Sequence, residues 1–196
     1  MAPSPYPVNV ILICISLCLL AGCSAAQDPY RRHVHRPCKK LVVYYHEVRY
    51  NGSNTLNATA TIVGEPDGAN KTSLAGPIRF GDLIAFDNPL TDDNNLRSPP
   101  VGRAQGFYVY SNKKEVAAWH GFSAVFNSTK YKGILTFAGL NMIITPTRHI
   151  SVIGGTDDFF MHRGIASFTT DAVEGEVYYR LRIEIKLYEC WKLVNH

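Results

Sequence analysis

The sequence predicts an all-β chain that closes into a single antiparallel barrel, and three observations carry that prediction. From Leu41 onward, short runs rich in β-branched and aromatic residues are separated by turn residues, and no stretch shows convincing 3.6-residue periodicity. In the last run, residues 177–188, Arg180, Arg182, Glu184 and Lys186 alternate with Leu181, Ile183, Ile185 and Leu187, which gives one wet face and one buried face. Eight or nine such strands on short connections would leave open sheet edges; closure removes those edges, so a barrel is preferred to a sandwich.

Taken in order, residues 41–49 (LVVYYHEVR) form the first strand, which ends at Asn51-Gly52, the strongest short hairpin signal. Further strands are expected at 58–63, 81–86, 102–110, 117–126, 133–137, 150–153, 164–170 and 177–188. Segments 65–78 and 88–100, rich in Pro, Gly, Asn and Asp, read as loops long enough to rim a pocket mouth. No internal repeat is visible, so 41–191 is expected to be one domain, followed by a short tail, 192–196.

The N-terminal region reads differently. Residues 1–26 contain no Lys, Arg, Asp or Glu, and an apolar run of about 13 residues ends in Ser24, Ala25 and Ala26. That is the pattern of a secretory signal peptide cleaved before Gln27, and it is too short for a membrane span of roughly 20 residues. Segment 27–40 is a basic arm: Arg31, Arg32, Arg36, Lys39 and Lys40 supply five positive charges, and without them the chain, formally +4, is close to neutral. It reads either as a solvated tail or as an anchor for an acidic wall polymer such as pectin; a secreted chain with no basic stripe on its body is a poor candidate for nucleic acid. The expected location is extracellular, in the apoplast or cell wall, free of the membrane once the signal is removed.

Cys14, Cys18 and Cys23 leave with the signal, and Cys38 and Cys190 remain. In an oxidising compartment two such thiols should pair; the alternative is two separately buried free thiols. Sequons at Asn51, Asn57, Asn70 and Asn127 point to a glycosylated surface.

Catalytic signatures are sparse. There is no G-x-S-x-G elbow, no phosphate-binding loop and no dinucleotide fingerprint, and His46, His120, His149 and His162 have no close ligand spacing. No metal and no cofactor is therefore expected, which argues against a self-contained oxidase. Tyr44, Tyr45, Phe107, Tyr108, Tyr110, Phe159 and Phe160 offer flat apolar walls for a planar phenol, or else simply fill the core.

Several motifs, in consistent order from Cys38 to Trp191, carry a family resemblance: LVVYYHE (41–47), YNG (50–52), NAT (57–59) with IVG (62–64), and VGRAQGFY (101–108). FNST (126–129), TR (147–148), SVIGGT (151–156), DFFMHRGIA (158–166) and LYECW (187–191) continue it. The sequence resembles plant dirigent proteins, particularly the subgroup that includes pinoresinol-forming members. That resemblance implies an eight-stranded antiparallel barrel of the allene-oxide-cyclase/lipocalin type, a homo-oligomer (trimer favoured, dimer as the alternative) and a Cys38–Cys190 disulfide. It also implies a protein that steers phenoxy radicals, such as the coniferyl alcohol radical, made by a separate laccase or peroxidase.

Carried over position by position, the resemblance puts the first pocket acid at Glu47, a pocket tyrosine at Tyr108, the arginine at Arg148 and a threonine at Thr170. The second pocket acid falls on Asn141, which hydrogen-bonds but has no acidic proton to give. Glu47 also departs from the family's Asp by one methylene, His149 stands where relatives carry Asp, and Asp157 where they carry Gly. Glu47, Arg148 and Asn141 are thus the candidate catalytic residues, with Tyr108, Thr170, Phe107 and Phe160 as substrate contacts. Three functions follow: stereocontrol of monolignol coupling to optically active lignans, an oxidant-independent dehydratase or cyclase working through a quinone methide, and a non-catalytic binder of phenolics that organises lignin in the wall.

Overall fold

The computed structural model describes residues 36–65, 73–75 and 78–191. The expected signal segment, most of the basic arm, Asn70 and the tail 192–196 lie outside the described residues. The strands are β1 (Lys39–Val48), β2 (Ala60–Gly64), β3 (Ser73–Ala75), β4 (Ile78–Arg79), β5 (Leu83–Thr91) and β6 (Gly102–Tyr110). They continue with β7 (Ala117–Asn127), β8 (Lys132–Met142), β9 (Thr147–Gly155), β10 (Arg163–Glu174) and β11 (Tyr178–Glu189).

Eight of these form a closed antiparallel barrel in the order β1, β11, β10, β9, β8, β7, β6, β5. Closure is short: β1 meets β5 only through Tyr44 opposite Thr91 and Tyr45 opposite Leu90. On its other side β1 runs against β11 from Lys39–Leu187 to Val48–Tyr178. His46 staples the short seam, with Nε2 2.7 Å from Thr91 Oγ1 and Nδ1 2.7 Å from the Tyr178 hydroxyl. Cys38 and Cys190 are joined by a disulfide beside the ends of β1 and β11, across a sequence separation of 152 residues. Closing a loop of that length restricts the unfolded chain by about 5 kcal/mol in the chain-entropy account.

Strand alternation fills the interior. Leu41, Val43, Tyr45 and Glu47 point inward from β1, and Ile183, Ile185 and Leu187 from β11, all nearly inaccessible. Phe86, Phe122, Phe137 and Phe168 pack across the middle, with Phe122 and Phe137 stacked at 4.6 Å. Phe126, Tyr131 and Phe159 plug one end, and the Lys39 ammonium lies 4.8 Å from the Phe159 ring. The short 3-10 turn that delivers Phe159, Asp157–Phe159, begins with Asp157 at φ +52°, a left-handed conformation that costs a non-glycine residue roughly 1 kcal/mol.

Three sequence expectations are corrected. Asn51-Gly52 does not close a hairpin, although Gly52 takes φ +93°; β2 pairs with β5, and Arg49 bridges Ala60 in parallel. The reason is topological: both edges of β1 are taken by β11 and β5, so a local hairpin would have blocked closure. Segment 88–100 begins as strand, because β5 continues through Pro89 to Thr91. The Asp87 N–H crosses to Thr59 on the side of the barrel seam, so Pro89, two residues on, turns its missing N–H to that thinly paired side. Segment 65–78 holds β3, paired with β4.

Candidate functional site

The end of the barrel opposite the aromatic plug encloses a cavity of about 250 Å³ between polar walls and the rings of Phe86, Phe122 and Phe168. A wider cleft of about 620 Å³ lies outside it and shares Arg49, Ile78, Tyr110 and Tyr179 with it.

One wall is built by β1 and β6. Glu47 is 5% exposed and its carboxylate is surrounded by donors. Oε2 accepts from the Tyr45 hydroxyl at 2.8 Å and from Asn88 Nδ2 at 3.4 Å; Oε1 accepts from the Tyr108 hydroxyl at 3.0 Å and from Arg49 Nε at 3.0 Å. Arg49 Nη2 also donates to the hydroxyls of Tyr108 (3.0 Å) and Tyr110 (3.1 Å). Burial, reinforced by the Glu47 charge, pushes the Tyr45 and Tyr108 hydroxyls well above their ordinary range, so both stay protonated donors. Three neutral donors and one guanidinium thus surround this carboxylate.

The facing wall, on β8, β9 and β10, is unlike it. Arg148, 5% exposed, spends Nη1 on the Thr170 hydroxyl (2.9 Å) and the carbonyls of Thr145 (3.2 Å) and Ile143 (3.3 Å). Its Nε is buried without a partner, and so is Oδ1 of Asn141, which is 3% exposed. Among the described residues no carboxylate pairs with Arg148, and burial alone draws its guanidinium below the ordinary arginine value while leaving it charged.

His120 lies between the walls, stacked on Tyr108 at 4.9 Å. Nδ1 is 3.1 Å from the Ala118 carbonyl, which can only accept, so the proton sits on Nδ1 and Nε2 keeps a lone pair. Burial, with a smaller contribution from Arg148, lowers this imidazole from 6.5 to about 4 against the opposing pull of the Ala118 carbonyl and Glu47. It is neutral near pH 7.

The cavity therefore brings together Glu47, Tyr108, Asn141, Arg148 and Thr170. Phe107 and Phe160 do not join them and are corrected: they are 44% and 41% exposed. Tyr108 points inward, so its strand neighbour Phe107 points out, where it packs on Trp119 at 6.1 Å. Phe160 follows the 3-10 turn at the plugged end, and its carbonyl accepts from His162 Nδ1. By the same parity His149, next to Arg148, faces outward onto Ser167. Sequence reasoning missed Arg49 and His120. Strand parity was the available signal, since Arg49 shares a face with Tyr45 and Glu47, and His120 with Phe122.

Among the described residues no group of three His, Cys, Asp or Glu is placed to hold a metal, and no helix is long and apolar enough to cross a membrane.

Comparison with known proteins bears on the same residues. The family model described as dirigent-like protein matches residues 38–188, all of the barrel but the last residue of β11. A dirigent protein of Sinopodophyllum hexandrum is 50% identical over 184 residues, covering 94% of this chain and 95% of the relative. Dirigent protein 5 of Arabidopsis thaliana is 46% identical over 156 residues, 80% of this chain and 82% of its own. Among solved structures, the pterocarpan synthase dirigent protein GePTS1 superposes with a TM-score of 0.63 at 28% identity, covering 80% of this chain and 88% of that one. With the barrel, the cavity and these likenesses in agreement, the chain belongs to the dirigent family.

Proposed function

We propose that this chain sets the stereochemistry of phenoxy radical coupling, acting on radicals of monolignols such as coniferyl alcohol supplied by a laccase or peroxidase and giving optically active, pinoresinol-type lignans. The observation that carries the reading is the convergence of Glu47, Tyr108 and Arg148 on one aromatic-walled space. About 250 Å³ suits one phenylpropanoid, and the adjoining cleft of about 620 Å³ has room for the second. Holding one radical with a single face open to the other fixes the geometry of the new carbon–carbon bond.

Coupling at the side-chain carbons gives a bis-quinone methide, and each ring then closes when a side-chain hydroxyl attacks the benzylic carbon. The hydroxyl loses a proton and the quinone-methide oxygen gains one. Glu47, with four donors around its carboxylate, is the group we assign as acceptor for the hydroxyl proton. Arg148 faces the oxygen that gathers negative charge as the ring regains aromaticity.

The test is a laccase reaction on coniferyl alcohol with and without the protein, resolved by chiral chromatography. One pinoresinol enantiomer is expected to dominate at unchanged total consumption; a racemic product at saturating protein rejects the reading. A second reading, a dehydratase or cyclase without an oxidant, draws support from the likeness to a pterocarpan synthase dirigent protein. Turnover of a benzylic alcohol in the absence of oxidant selects it.

The proposed setting is the apoplast, with the protein as a glycosylated homo-oligomer. Asn51, Asn57 and Asn127 are exposed, as glycan attachment requires, and Phe107, Trp119 and Leu140 form an apolar outer strip across β6, β7 and β8 that a second copy can cover. Glycosidase shifts and light scattering on protein secreted from plant cells test both.

A further inference from the structure

Arg148 is a buried cation that, among the described residues, pairs with no carboxylate. Nη1 makes all of its hydrogen bonds among the described residues, and Nε is sealed off without a partner, so Nη2 is the nitrogen left for a ligand. A carboxylate can accept from Nη2 in a charge-assisted hydrogen bond. Asn141 adds no countercharge. It is an amide with two N–H donors to offer, where an aspartate in its place would repel an anion.

The rest of the cavity fits such a ligand. Glu47, the carboxylate that would oppose an incoming anion, is already neutralised by Arg49 at 3.0 Å. The walls contribute two guanidinium groups, Arg49 and Arg148, against one carboxylate, a surplus of one positive charge. Phe86, Phe122 and Phe168 supply flat surfaces for a ring, and the Nε2 lone pair of neutral His120 can accept a phenolic hydroxyl.

We propose that the cavity prefers a phenylpropanoid bearing a carboxylate, a hydroxycinnamate-type phenolic acid, with the carboxylate on Nη2 of Arg148 and the amide N–H groups of Asn141. This names the substrate class of the site and rests on reading the cavity as a phenol-binding pocket. A neutral phenol leaves Arg148 uncompensated; a carboxylate completes the wall without any rearrangement of the Glu47 network.

Ferulate and coniferyl alcohol differ only at the end of the side chain, and each can be titrated into the purified protein at pH 7 by calorimetry. Ferulate is expected to bind roughly tenfold to a hundredfold tighter, the range of a hydrogen bond to a charged group. Asn141→Asp is expected to erase most of that preference, and Arg148→Gln to erase it entirely. Since Asn141→Asp gives Arg148 a counterion, it provides a folded test even if Arg148→Gln does not fold. Equal or tighter binding of coniferyl alcohol by the unaltered protein overturns the preference and leaves the phenol pocket standing. Failure of both ligands to bind overturns the pocket reading as well.

Discussion

Each wall of the inner cavity carries an arginine, Arg49 just past β1 and Arg148 on β9, and the two are treated in opposite ways. Arg49 is bound on three sides, to Glu47, Tyr108 and Tyr110, with its charge cancelled. Among the described residues Arg148 is held by Nη1 alone and pairs with no carboxylate, while Nη2 makes no hydrogen bond. The difference separates structure from reserve: the β1 wall is complete without ligand, whereas the β9 wall keeps a desolvated cation whose cost only a ligand offsets.

The largest effect that distinguishes them is on stability. Glu47→Gln strands Arg49 and brings an amide donor against the Tyr45 and Tyr108 hydroxyls. It should cost about 3 kcal/mol, the low end for a broken buried pair because Arg49 is 28% exposed. Arg148→Met, by contrast, removes an unpaired cation along with its hydrogen bonds and should change ligand-free stability by less than about 1 kcal/mol. Urea unfolding of both variants decides the matter; equal losses would mean that the two walls are alike.

Acid should sharpen the contrast by adding a third cation between the walls. Burial holds both His120 and His46 at about 4, against an ordinary 6.5. Between those values the unfolded chain takes up protons that the folded chain refuses, so stability is full above about pH 6.5 and falls as pH drops toward 4. Each histidine accounts for about 2 kcal/mol lost by pH 5. His120→Phe should remove half of that slope and leave the His46 half. A slope unchanged by His120→Phe would mean that this imidazole is not held neutral in the folded barrel.

Asn141→Asp makes the open wall resemble the closed one by giving Arg148 a partner. A stability gain of about 1 kcal/mol is expected above pH 5, with a higher enantiomeric excess on neutral coniferyl alcohol. Unfolding curves and chiral chromatography on the same preparation read both. No change in either would show that residue 141 does not communicate with Arg148.

Much of this was legible in the sequence, because alternation is a property of single strands. β6 runs from Gly102 to Tyr110 as expected, and the last strand's wet and dry faces are those of Arg180 to Leu187. What local pattern does not contain is which strands share an edge. The Asn51-Gly52 signal was therefore overridden by the closure of β1 on β5, and Pro89 was tolerated inside a strand because its neighbour is lacking on one side. Glu47, Tyr108 and Arg148 were found by family resemblance, but the surroundings of Glu47 were not. Its role depends on Arg49, two residues away on the same face, whose contacts with Tyr108 and Tyr110 exist only once the barrel closes.

The smallest expected effect tests the parity on which the whole comparison depends. Phe107 and Tyr108 are neighbours on β6 that face opposite sides of the sheet, at 44% and 3% exposure. Phe107→Ala should leave the product ratio unchanged and cost under about 1 kcal/mol, as should Phe160→Ala at the far end of the barrel. Tyr108→Phe removes the hydroxyl shared by Glu47 and Arg49, and should lower enantiomeric excess by altering the geometry around the carboxylate. If Phe107→Ala changed the ratio as strongly as Tyr108→Phe, selectivity would reside on the outer face of the barrel. The two arginines would then be features of folding, not of the reaction.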